Sequence, residues 1–226
     1  MNKKILYHGS PEIIEEPMLN KGNLYNDYGR GFYMTEHVEL AREWACTGQN
    51  IGYANRYEID LDSLNILNLN DRKFTVLHWL AILMEYRRVR LFTPVMERGV
   101  SWLKANFLID ISPFDLIIGY RADDSYFSFA RAFVNNEISI KQLSNAMRLG
   151  KLGIQYVLKS EKAFANIKFV DYTVAEGSEY YAKRKNRDEM ARQIYLKELE
   201  EDDIEGLFMR DIIREKVKPD DSRLQY

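Results

Sequence analysis

The sequence predicts an α+β fold, with strand-like stretches early and late in the chain and helices inserted between them. Three observations carry this expectation. Short alternating or apolar stretches bounded by Gly and Pro fill the chain up to Asn68. Apolar residues at helical spacing then run from Thr75 to Leu149, and strand-like stretches return after Gly153.

Taken in order, residues 4–7 form a short strand, and Pro11, Pro17 and the glycines between 22 and 31 punctuate the loop-rich stretch after it. Residues 32–35 are a second strand. Residues 38–46 read as a helix with Val38, Ala41, Trp44 and Ala45 on one side. Residues 56–61 alternate, with Tyr57, Ile59 and Leu61 on one face and Glu58 and Asp60 on the other. Residues 63–68 continue that sheet. In residues 75–88, Val76, Leu77, Leu80, Leu83 and Met84 recur at helical spacing. A second helix over 95–106 follows Pro94, a residue suited to a helix start. Residues 115–119 are a buried strand ended by glycine. Two more helices cover 126–134 and 139–149. Residues 154–158 are a strand, 160–165 a short helix and 168–173 a last strand.

Composition bounds the function. The 226 residues are 46% hydrophobic and 29% charged, enough apolar mass to build a core. Lys plus Arg number 32 against 34 Asp plus Glu, so the net charge of −2 excludes a chain-wide basic surface but not a local basic groove. Cys46 is the single cysteine, so no internal disulfide or cysteine metal cluster can form. Its context is that of a small buried residue. No apolar run is long enough to span a bilayer, and a cytoplasmic protein without membrane contact is expected. His8, His37 and His78 match no metal-ligand spacing, and no metal is expected. The glycines at 29 and 31 are too few for a dinucleotide fingerprint. Aromatic residues reach 13%, including 15 Tyr, which suits core packing or stacking on a flat ligand.

From about residue 175 the composition changes to dense mixed charge. The chain therefore divides into a domain of residues 1–175 and a charged helical extension of residues 176–226. One long helix, or two broken near Gly206, fits the extension. It reads as an amphipathic packing element or as an arm for a protein partner.

Three segments carry the chemistry: Ile5 to Ser10 with Leu6-Tyr7-His8-Gly9-Ser10, Asp27 to Ala45 with Gly29-Arg30-Gly31-Phe32-Tyr33 and the helix after it, and Gly153 to Ser160 with Ile154-Gln155-Tyr156-Val157-Leu158. Each alone has a plain structural reading. His8 could simply end a strand, and the glycines could form a tight turn. Together, in this order and at wide separation, they resemble the ADP-ribosyltransferase superfamily, in its poly(ADP-ribose) polymerase-like, diphtheria-toxin-like branch. More narrowly, the chain resembles a bacterial family of uncharacterised domains in that group. There a stretch like Asp115 to Gly119 is followed by one like Ala122-Asp123-Asp124. The resemblance covers residues 4–174.

It implies a split β-sandwich that uses NAD as substrate. His8 is then expected on the adenine-side ribose and Gly9 on the nicotinamide amide. Tyr33 would pack on the nicotinamide ring and Trp44 form a second aromatic wall, where stacking and cation–π attraction combine. Ser10 is placed near the adenosine, and Arg30, by charge, at the pyrophosphate. Two departures stand out. Ala41 occupies a position that is often Ser. Gln155 occupies the position of the catalytic Glu. Gln can hydrogen-bond a ribose hydroxyl, but it carries no charge and cannot act as a base. The missing acid could come from Asp123, Asp124, Glu36 or Glu161. Asp123 and Asp124 read equally well as a helix cap. Gln155→Glu is accordingly expected to raise NAD cleavage.

The implied function is transfer of one ADP-ribose unit from NAD to a protein or nucleic-acid acceptor, as in a toxin or effector. The alternative is a non-catalytic NAD- or nucleotide-binding module on the same fold. A weaker third reading is a transferase acting on an RNA 2′-phosphate, the work of a related fold.

Overall fold

Strands of the first half pair with strands from beyond residue 153. The computed structural model of the chain describes residues 2–122, 124–149, 153–200 and 203–224. Its strands are β1 (Lys3–Ser10), β2 (Phe32–Thr35), β3 (Gly52–Asp60), β4 (Ile66–Asn68), β5 (Leu116–Tyr120), β6 (Ile154–Leu158) and β7 (Ile167–Ala175). The helices are α1 (Val38–Ala45), α2 (Val76–Tyr86), α3 (Pro94–Phe107), α4 (Asp124–Val134), α5 (Ile140–Leu149), α6 (Glu161–Ala165), α7 (Gly177–Glu200) and α8 (Met209–Arg214). This is an α+β architecture. Among the described residues no helix is long and apolar enough to cross a membrane.

The sheet is mixed and runs β4-β5-β6-β2-β1-β3-β7. Only β4 and β5 are parallel. β1 pairs with β3 from Lys3 opposite Asp60 to Ser10 opposite Tyr53. By contrast, β1 meets β2 only at Tyr7 opposite Thr35. The sheet therefore consists of a four-stranded and a three-stranded leaf joined at one narrow seam.

β6 shows why the centre is held from both sides. Its residues from Gln155 to Leu158 are all buried. Val157 packs among α2 to α5, while Tyr156 and Leu158 face a second cluster with Leu6, Phe32, Met34 and Tyr57. The larger cluster includes the fully buried Trp79, Phe107, Phe129 and Phe133. It also takes Leu207, Met209, Ile212, Val217 and Leu224 from the C-terminal segment.

β1 reaches Ser10, so His8 and Gly9 lie inside the strand and not beyond its end. The extension matches β3, which begins at Gly52, before the alternating run. Buried Asn55 breaks the apolar alternation there. It accepts from the Ile14 N–H at 3.0 Å and donates to Glu12 O at 3.1 Å, satisfying a polar side chain on an inward face. In the C-terminal extension, helix α7 stops at Glu200 and α8 starts at Met209. Gly206 lies against Ser139 in the intervening turn, and the Ile140 N–H donates to Leu207 O at 2.9 Å.

Candidate functional site

A pinned turn before β2 organises the site. Gly29 has φ +71°, a conformation that suits glycine, and a Cβ there would come within 2.5 Å of the Tyr86 ring. Tyr33, on β2, reaches back over this turn. Its hydroxyl donates to Gly29 O at 2.6 Å and accepts from the Tyr28 N–H at 3.1 Å. From below, Lys159 donates to Tyr28 O at 2.7 Å and to Arg30 O at 2.6 Å. Burial pushes the Lys159 ammonium down to about 8. Asn26 and Tyr33 thus stand at two adjoining clefts, and Asp27 at the first of them.

The first cleft, about 260 Å³, is lined by Asp27, Tyr33, Trp44, Arg121 and Gln155, and by Arg184 and Asp188 of α7. The second, about 530 Å³, is lined by His8, Phe32 and Tyr33 and by the 12–22 loop with Glu12, Glu15 and Glu16. Tyr33 and Asn26 belong to both.

His8 closes the seam where the β1–β2 ladder gives out. Its Nδ1 lies 2.7 Å from Tyr33 O. A carbonyl only accepts, so Nδ1 carries the proton and Nε2 is left as an acceptor. The ring stacks on Phe32 with centroids 4.2 Å apart and planes 29° from parallel. Burial lowers the His8 pKa against the opposing pull of Tyr33 O, which keeps the ring neutral near pH 7.

Gln155 opens β6 at the place the motif implies, and it is buried in the wall of the first cleft. Its Nε2 donates to Asp27 Oδ2 at 3.0 Å and to Tyr120 O at 3.1 Å. Only the amide nitrogen suits two acceptors, which fixes the amide's orientation. Asp27 is buried as well. The same Oδ2 accepts from the Ala122 N–H at 2.8 Å, and Oδ1 lies 3.4 Å from Arg87 Nε. Burial pushes the Asp27 carboxyl up, while Arg87, the Ala122 N–H and the Gln155 amide pull it back.

Trp44 lines the first cleft from α1, with the Arg121 guanidinium 4.0 Å from its ring centroid. One indole face is therefore covered by a cation. Helix α7 forms the adjacent wall. A two-point ion pair, Arg187 Nε to Glu43 Oε2 and Arg187 Nη2 to Glu43 Oε1, both at 2.8 Å, ties it to α1.

Gly9, Ser10, Arg30, Glu36 and Glu161 line neither cleft. Gly9 abuts α1, where a Cβ would come within 1.9 Å of Ala41 O. Ser10 is buried and accepts from the Glu12 N–H at 3.1 Å. Glu36 bonds Lys4 at 2.7 Å and the Tyr156 hydroxyl at 2.8 Å, and Glu161 lies in the first turn of α6. Asp123 lies outside the described residues, and Asp124 opens α4. Asp27, Arg121 and the α7 pair were not singled out by the sequence. An Asp ahead of a glycine turn reads as a turn residue, and only the return of β6 brings Gln155 to it. Among the described residues, no group of three or more His, Cys, Asp or Glu side chains is placed to hold a metal ion.

No curated protein and no solved structure matches the chain. A family model described as protein of unknown function, DUF3990, matches residues 4–169, and the chain belongs to that family.

Proposed function

We propose that the chain is an NAD-dependent mono-ADP-ribosyltransferase. The observation that carries this reading is the pair of adjoining clefts that share Tyr33, with His8 in one and Gln155 and Trp44 in the other. Residues from three distant motifs thereby line two clefts that have Tyr33 in common, which supports the reading. The larger cleft falls in the range of about 300–1,000 Å³ usual for small-molecule sites, and the smaller falls below it, which suits one ligand spanning both. The narrow seam between two leaves of the sheet supports a split β-sandwich of this kind.

In this reading the acceptor nitrogen of His8 takes a ribose hydroxyl on the adenosine side. The Tyr33 ring packs on the nicotinamide. Arg121 and Arg184, which line the first cleft, meet the pyrophosphate in place of Arg30. The reaction breaks the bond between nicotinamide and its ribose. The nicotinamide leaves with the electron pair, and an acceptor group on a protein or nucleic acid takes the ribose carbon.

The test is incubation of the purified protein with labelled NAD and a cell lysate. Label transfer and nicotinamide release should both occur and both vanish in Tyr33→Ala and His8→Ala. NAD binding without either would establish a non-catalytic nucleotide-binding module instead.

A further inference from the structure

The strand position that an acid would occupy holds Gln155, yet an acid lies against it. Asp27 reaches the same point of the cleft from the opposite side, on the turn before β2. We propose that Asp27 is the catalytic carboxylate of this site, aimed by Gln155; the inference rests on the transferase reading above.

Four features make the arrangement more than a chance contact. Asp27 is buried, yet it lines the cleft next to Tyr33. Both of its oxygens are engaged: Oδ2 holds the Ala122 N–H and the Gln155 amide, and Oδ1 faces Arg87. Gln155 commits Nε2 to Asp27 and Tyr120 O, so it acts as a brace for the carboxylate and is a positioning residue. Arg87 is braced in turn, donating to Ala122 O at 3.1 Å and lying 4.8 Å from the Phe127 ring centroid. A carboxylate held this way is ordered before any ligand arrives, which is what electrostatic stabilisation of a cationic transition state requires.

In the reaction, the bond from the ribose carbon to the nicotinamide nitrogen breaks, and neutral nicotinamide departs with the bonding electrons. The ionised Asp27 stabilises the positive charge that develops on the ribose. The acceptor hydroxyl, or water, then forms the new bond to that carbon and gives its proton to Asp27. Asp27 must be ionised at the start, so activity rises with pH as it loses its proton. Burial shifts that rise upward from the ordinary aspartate value. The charged and titratable groups facing Asp27 are Arg87, Arg121, Tyr28 and Tyr33, with Arg184 and Asp188 across the cleft on α7.

This placement reverses the expectation for Gln155→Glu. A carboxylate at 155 would confront both Asp27 Oδ2 and Tyr120 O, so that change alone should lower NAD cleavage.

The experiment measures nicotinamide release and NAD binding in wild type, Asp27→Asn, Asp27→Glu, Gln155→Glu and the exchange Asp27→Asn with Gln155→Glu. Asp27→Asn should lose about 100-fold in rate while NAD affinity holds, the pattern of a group acting in the transition state. Gln155→Glu should lose about tenfold or more. The exchange variant, which returns the carboxylate to the strand, should recover most of the loss. Asp27→Glu should stay more active than Asp27→Asn, and it keeps the acid should the Asn variant fold poorly. Wild-type rate in Asp27→Asn, or an exchange variant that folds and binds NAD yet stays as slow as Asp27→Asn, would overturn the assignment of Asp27 alone. NAD binding by wild type with no nicotinamide release also overturns it, but leaves the NAD site standing. No NAD binding by wild type overturns the transferase reading and this inference together.

Discussion

Tyr33 has two separable duties. Its hydroxyl ties the 28–29 turn, and the residue lines both clefts. Tyr33→Phe should therefore cost about 1 kcal/mol of stability, the usual net worth of such a hydrogen bond, while keeping most NAD affinity. Tyr33→Ala should lose the affinity. Denaturant melts and NAD titration separate the two effects, and equal loss of affinity in both variants would contradict this division. Two histidines, the half-buried His8 and the buried His78, give a second check. His8 and His78 both have pKa values lowered by burial from the ordinary 6.5. As pH falls through that value the unfolded chain takes up protons that the folded chain refuses, so stability drops on the acid side and is unaffected above it. The urea midpoint should fall between about pH 7.5 and 5.5, and fall less in His8→Asn; parallel curves for the two proteins would refute a role for His8. At this scale, the positions of His8, Tyr33 and Gln155 were legible because short motifs fix them. Asp27 was not, because its importance arises from a partner 128 positions away.

Helix α7 is held by ion pairs as well as by apolar contacts of Tyr180, Ala191, Ile194 and Tyr195. Of its residues only Gly177, Tyr180 and Ala191 are buried. Its link to α1 runs through Arg187 and Glu43, with Arg42 bonded to the Tyr180 hydroxyl at 2.9 Å. Glu43 is only 4% exposed, so Arg187→Ala would leave an unpaired carboxylate buried on the helix that carries Trp44. Breaking such a pair costs about 3 kcal/mol, on the order of 6–12 °C in melting temperature for a chain of this size. NAD affinity should weaken with it. A melting temperature within a degree or two of wild type would show that the pair does not hold α7 in place. The elements themselves were readable from periodicity and punctuation: α1 to α6 and the strands lie near the expected stretches, though β1 and β3 run beyond them and β4 is shorter. The docking of α7 was not, since its mixed charges carry no period that tells solvent from a partner helix.

On the scale of the molecule, the C-terminal segment completes the large core. Leu207, Met209, Ile212, Val217 and Leu224 are buried with Trp79, Phe107 and Phe133. A chain cut after residue 175 should therefore lose its cooperative thermal transition and bind a hydrophobic dye. A truncated protein that melts sharply near the wild-type temperature would show that residues 1–175 fold alone. The α+β class was legible from the order of strand-like and helical stretches. The seam between β1 and β2 was not, because strand pairing across it depends on how the two leaves pack and leaves no mark in either strand. That seam is where His8, Tyr33 and the two clefts meet. The most direct measurement is therefore a structure of the protein with NAD bound. The expected result is nicotinamide against Tyr33 beside Asp27 and Gln155, with the adenosine in the His8 cleft. NAD bound away from Tyr33, or no NAD bound at saturating concentration, would contradict the account.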